Sequence, residues 1–69
     1  MKNNIEIIRK ELKFSQAFLA EKLSVSRQTI SSLENGRYNP SLILAFKMAR
    51  LFGKKIEDIF IYEGDIYEK

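Results

Sequence analysis

The sequence predicts an all-α domain, a compact bundle of five short helices, on three observations. Capping and turn residues recur along it at regular intervals: Ser15, Ser24 and Ser26, then Asn35-Gly36, Asn39-Pro40-Ser41, Gly53 and Gly64. The segments between these marks have helix rather than strand length and carry apolar residues at helical spacing. The chain has 69 residues, no Cys and no His, so disulfides and the usual zinc sites cannot supplement so small a core. Helix packing, with or without a partner subunit, has to do that work.

The first segment covers residues 4–12, with Ile5, Ile8 and Leu12 on one stripe. Asn3 followed by Glu6 has the form of a capping box. A second helix follows Ser15 as N-cap and turns Leu19, Ala20 and Leu23 inward. Only Ser24 and Val25 separate it from a third segment, capped by Ser26, which runs to Glu34 and stops at Asn35-Gly36. Pro40-Ser41 opens a fourth helix with Leu42, Ala45, Met48, Ala49 and Phe52 inward, and Gly53 ends it. A fifth, around residues 56–60, closes the core with Ile56, Ile59 and Phe60. Residues 1–60 thus form the domain. The tail, residues 61–69, differs: Ile61, Tyr62, Ile66 and Tyr67 are β-prone and flank Glu63-Gly64-Asp65. Such a strand is marginal alone but could pair with its copy across a dimer.

The informative stretch is residues 16–35. Two short helices joined by so tight a turn cross steeply, the helix-turn-helix arrangement. Ala20 suits the point of closest approach, and Val25 plugs the turn. On a wheel of about 100° per residue with Arg27 at zero, Ile30 falls at about 300° and Leu33 at about 240°. The opposite side, near 90°, carries Gln28, Ser31, Ser32 and Asn35, with Arg27 flanking. All of these can hydrogen-bond. Arg pairs bidentately with guanine O6 and N7, Gln with adenine N6 and N7, and Ser31 and Ser32 are short enough for close approach. Judged alone, the same face suits an ordinary amphipathic helix; the tight turn and the apolar plan around it favour base reading.

The runs Ser15-Gln16-Ala17-Phe18-Leu19-Ala20-Glu21-Lys22-Leu23, Val25-Ser26-Arg27-Gln28-Thr29-Ile30-Ser31 and Glu34-Asn35-Gly36-Arg37-Tyr38-Asn39-Pro40-Ser41 resemble the Cro/repressor (XRE-like) family of helix-turn-helix regulators. The resemblance extends over residues 5–60. It implies that Arg27, Gln28 and Ser32 read bases. It implies that Gln16, Asn35, Arg37 and Asn39 hold the DNA backbone, setting register without reading sequence, and Ser26, Thr29 and Tyr38 are expected to join them there. It also implies an internal salt bridge between Arg9 and Glu34, whose burial the sequence leaves open. Ser24 and Lys13 stand where the family usually has Gly, so both are expected at positive φ. Phe18 and Ile43 point outward as scattered apolar residues.

The net charge of +3 agrees with a polyanionic partner and equally with solvated helix faces. No segment resembles a signal peptide or a membrane span. Double-stranded DNA is the expected partner, in the cytoplasm, with no membrane, cofactor, metal or small-molecule ligand. A homodimer reading two half-sites is expected to repress from an operator, through a surface of Ile59, Ile61, Tyr62, Ile66 and Tyr67. An antitoxin-like protein that also binds a partner, or a protein-interaction module on the same fold, stays open. The latter would place apolar residues at Gln28, Ser31 or Ser32. An enzyme is not expected, since the helix plan leaves no cleft with paired catalytic groups.

Overall fold

The computed structural model describes residues 1–62. In chain order these form β1 (Lys2–Asn3), α1 (Ile5–Glu11), α2 (Gln16–Leu23), α3 (Arg27–Glu34), α4 (Leu42–Phe52), α5 (Ile56–Ile59) and β2 (Phe60–Ile61).

Three helices begin the same way. Ser15, Ser26 and Ser41 each hold extended backbone, and their hydroxyls accept from Phe18 N, Thr29 N and Leu44 N at 3.0–3.1 Å. Each bond satisfies one of the amides that a helix start leaves without a partner. The expected Asn3–Glu6 capping box does not form. Asn4 is the N-cap of α1, Asn3 belongs to β1, and Glu6 instead pairs with Lys10 at 3.0 Å on the surface. Asn3 is drawn into strand pairing just before the helix; its Oδ1 still accepts from Ile5 N at 3.0 Å, but Glu6 does not return the bond, so the reciprocal box is not made.

The ends follow one pattern as well. After α2, Ser24 N donates to Glu21 O and Val25 N to Ala20 O, with Ser24 at φ 59. The same paired bonds close the chain after α1, α3 and α4, where Lys13, Gly36 and Gly53 have φ of 62, 75 and 67. These are left-handed helix ends, cheap for glycine and costly for a residue with a Cβ. Ser24→Gly is therefore expected to stabilise the domain. The αL penalty of about 1–2 kcal/mol outweighs the added unfolded-chain entropy of about 0.5–1 kcal/mol. The net gain, about 0.5–1 kcal/mol, corresponds to a rise of several degrees in a domain of this size. Thermal unfolding checks it; a lowered midpoint would show that Ser24 contributes something its backbone strain conceals.

The core gathers Ile5, Ile8, Leu19, Ala20, Leu23, Ile30, Leu33, Leu44, Met48, Ala49, Phe52 and Ile59, drawn from all five helices. Phe14, Val25, Leu51, Ile56 and Phe60 pack against it half-buried. Two expected core positions differ. Leu12 lies beyond the last turn of α1, where the chain swings out through Lys13, and it is exposed. Leu42 is 70% exposed, and Leu44 takes its place. Helical phase explains the exchange: Leu44, Ala45, Met48, Ala49 and Phe52 share one stripe, and Leu42 lies about 200° from Leu44 around the axis. Ile43 is also exposed, while Phe18 rests at the margin with its ring 4.7 Å from that of Phe14 and Lys22 Nζ above it.

The two strands pair antiparallel within the chain, Lys2 opposite Ile61 and Asn3 opposite Phe60. Asn4 N continues the ladder to Ile59 O at 2.7 Å. The strand expected in the tail therefore begins at Phe60, one residue early, and has the start of its own chain on one edge. Ile59, expected both to close the core and to lie on a dimer surface, is wholly buried in the core and not available to a partner. Ile66 and Tyr67 lie outside the described residues.

Candidate nucleic-acid interface

The site is built on α3. Its inner face is fixed by Ile30 and Leu33, both at or below 1% exposure. With those two side chains locked in the core, the rotation of the helix is set, and its polar side must face out. Arg27, Gln28 and Asn35 are exposed, and Ser31 and Ser32 are half-buried beside them. Ser26, Gln28, Thr29, Ser32 and Tyr38 line a shallow open groove along this face. Arg37, Tyr38 and Asn39 stand exposed in the loop that follows. At the start of α3 the hydroxyls of Ser26 and Thr29 are 2.9 Å apart and share one hydrogen bond, which leaves one hydroxyl hydrogen of the pair for another acceptor.

Behind this face lies a polar cluster joining three helices. Arg9 Nε donates to Glu34 Oε2 at 2.6 Å, and its Nη1 donates to Phe14 O at 2.9 Å. The side chains of Arg9 and Glu34 are 10% and 6% exposed, which resolves the alternative left open above in favour of burial. Gln16 Nε2 donates to Glu34 Oε1 at 2.9 Å. This bond orients the Gln16 amide, whose nitrogen carries a second hydrogen able to meet a phosphate. Among the described residues no buried side-chain polar atom lacks a partner. The cluster thus sets the end of α3 against α1 and the start of α2.

One contact has no counterpart in sequence reasoning. Asn3 Nδ2 donates to Leu33 O at 2.8 Å, thirty residues away, at the far end of α3. Nothing local in Lys2-Asn3-Asn4 signals it, because it depends on β1 being brought beside α3 by pairing with β2.

Two short capped helices, joined through Ser24 and Val25, with a buried inner face and a polar outer one on the second, define a helix-turn-helix DNA-binding protein. Residues 5–59 match the family described as Helix-turn-helix, and the chain belongs to that family, in its Cro/repressor branch. It is 58% identical to an uncharacterized HTH-type transcriptional regulator of Methanocaldococcus jannaschii, over 94% of this chain and 98% of that one. It is 42% identical to the immunity repressor protein of Bacillus phage phi105, over 94% of this chain and 45% of the repressor. Among solved structures it is similar to the restriction-modification controller protein of Aeromonas hydrophila, with a TM-score of 0.73 and 25% identity, over 81% of this chain and 85% of the controller. The protein is accordingly a DNA-binding transcriptional regulator and not an enzyme. No helix among the described residues is long and apolar enough to cross a membrane.

Proposed function

We propose that the protein is a cytoplasmic repressor that binds a palindromic operator as a homodimer and excludes polymerase from the site. The observation that carries this reading is the outward face of α3, polar along its whole length and fixed in rotation by Ile30 and Leu33. Arg27 and Gln28, exposed at the leading end, reach base edges in the major groove, with Ser31 and Ser32 behind them. Ser26, Thr29, Asn35, Arg37, Tyr38 and Asn39, with the second amide hydrogen of Gln16, hold the flanking phosphates. The relative that is an immunity repressor supports repression as the outcome.

A single unit reads one half-site, so a second copy is needed for affinity at physiological salt. The outer edge of β2 suits that copy. Ile61 and Tyr62 are exposed there, and beside them Leu42, Ala45, Ile56 and Phe60 line an apolar groove. A two-fold axis at this edge would add the second β2 to the sheet and cover the groove.

Selection from a pool of random duplexes, followed by salt titration of the recovered sites, tests both parts. The expected product is a palindrome with half-sites about 10–10.5 bp apart, bound about 10³-fold or more above bulk DNA. Recovery of an asymmetric single site would remove the homodimer. Binding that responds to salt alone, with no preferred sequence, would remove the operator as well.

A further inference from the structure

The contact between Asn3 and the end of α3 supports a role in DNA binding that the residue's position in the chain would not suggest. The last four carbonyls of a helix have no partner within it. In α3, Ser31 O, Ser32 O and Leu33 O accept from Asn35 N, Arg37 N and Gly36 N, each at 3.0 Å. These bonds shape the turn but move with it, so they cannot place the turn relative to the rest of the domain. Asn3 can. Its Nδ2 donates to Leu33 O at 2.8 Å, while its Oδ1 accepts from Ile5 N at 3.0 Å, so both ends of the amide are held. Its backbone is pinned opposite Phe60 in the sheet, and the next residue donates to Ile59 O. The same approach brings the backbone of Met1 against Gly36, where a Cβ would stand only 3.0 Å from Met1 O.

We propose that Asn3 is a positioning residue for DNA binding, a tie that acts beside the Arg9–Glu34–Gln16 cluster and the Met1 ammonium on Gly36 O at 3.3 Å to set where α3 ends and so where the loop of residues 35–39 presents its phosphate contacts. The inference rests on reading α3 as the recognition helix. Arg37 lies one residue past Gly36 and donates its own amide into the same turn. Any drift of that turn therefore carries the Arg37 guanidinium off the phosphate it should meet.

Asn3→Ala tests the tie, with Asn4→Ala as comparator. Asn4 Nδ2 bonds Asp58 O at 3.1 Å, which ties the same segment to α5 and not to α3. Both variants are measured well below their unfolding midpoints, so global stability does not enter. Asn3→Ala is expected to raise hydrogen exchange at the Gly36 and Arg37 amides about tenfold, while Ser24 and Val25 in the preceding turn exchange as in the parent. It is expected to weaken binding to the selected operator about fivefold, the worth of one neutral hydrogen bond, with a shallower salt dependence. Asn4→Ala should move none of these. Unchanged exchange at Gly36 and Arg37 would overturn the proposal, and Asn3→Asp, which keeps the acceptor and loses the donor, repeats that measurement if the alanine variant folds poorly. Faster exchange with parental operator affinity, while Arg37→Ala binds weakly, would overturn the positioning role. If Arg27→Ala and Arg37→Ala also bind like the parent, the reading of α3 itself fails and this inference with it; the exchange result still says whether the tie exists.

Discussion

Replacing Arg27 and Gln28 together by alanine is expected to abolish operator preference while leaving the fold and non-specific binding nearly intact. Both side chains are exposed, neither bonds another of the described residues, and neither packs in the core. Surface changes of that kind shift stability by about 0.5 kcal/mol or less. On DNA their effect is of another order. A bidentate contact to a base edge is worth about 1–3 kcal/mol of discrimination, so the pair accounts for about 2–6 kcal/mol when the two act independently. Non-specific affinity rests on phosphate neutralisation and should fall little. Arg37→Ala offers the contrast, since loss of a phosphate contact weakens all sequences alike and reduces the salt slope by about one. Titration of operator and random duplexes at two salt concentrations separates the two behaviours. An unchanged sequence preference in the double variant would sink the assignment of α3 as the reader.

The parts of this molecule that sequence reasoning reaches are those written in local chemistry. Ser15, Ser26 and Ser41 announce helix starts because a hydroxyl at that position accepts from an otherwise unpartnered amide two or three residues on. Leu19, Ala20, Leu23, Ile30 and Leu33 declare inner faces by spacing alone. Phase is weaker information than spacing. α4 is apolar at Leu42, Ile43, Leu44, Ala45 and Phe46, so several stripes compete, and only packing against α2 and α5 selects Leu44 over Leu42. Non-local contacts are weaker still. β1 is two residues of low strand propensity that become a strand only because β2 arrives beside them. Asn3 meets the start of α1 through Ile5 N, as its place in the sequence suggests, but its other partner, Leu33 O, is distant in sequence and nothing local announces it. Ile59 reads both as core and as dimer surface because a short last helix running into an apolar tail presents one continuous apolar run, and only packing assigns Ile59 wholly to the core. The residues of the candidate interface were legible because the inner face of α3 fixes its outer one.

Glu34→Ala is expected to destabilise the domain by about 3–5 kcal/mol, because it leaves a buried guanidinium without its counter-charge. The magnitude follows from burial, not from the ion pair as such. An exposed pair contributes about 0–1 kcal/mol, but here Arg9 and Glu34 are 10% and 6% exposed, and the carboxylate accepts from two side chains, Arg9 and Gln16. Removing it strips Arg9 Nε of its 2.6 Å partner and Gln16 Nε2 of its 2.9 Å partner, while Arg9 keeps only the bond to Phe14 O. A chain of this length has a total stability of about 3–10 kcal/mol, so the variant should lose a large part of it and unfold tens of degrees earlier in a thermal scan. A second variant separates the cost of an orphaned charge from the worth of the pair. Arg9→Met with Glu34→Leu removes both charges and refills the space, and should recover much of the loss, since buried pairs repay little beyond their own desolvation. A single-variant loss below about 1 kcal/mol would mean that water reaches Arg9 and that the cluster behaves as a surface pair. A double variant as unstable as the single one would instead mean that the three-helix junction depends on the bonds of Arg9 and Gln16 themselves, so that this polar cluster, and not the apolar core alone, fixes the angle at which α3 meets DNA.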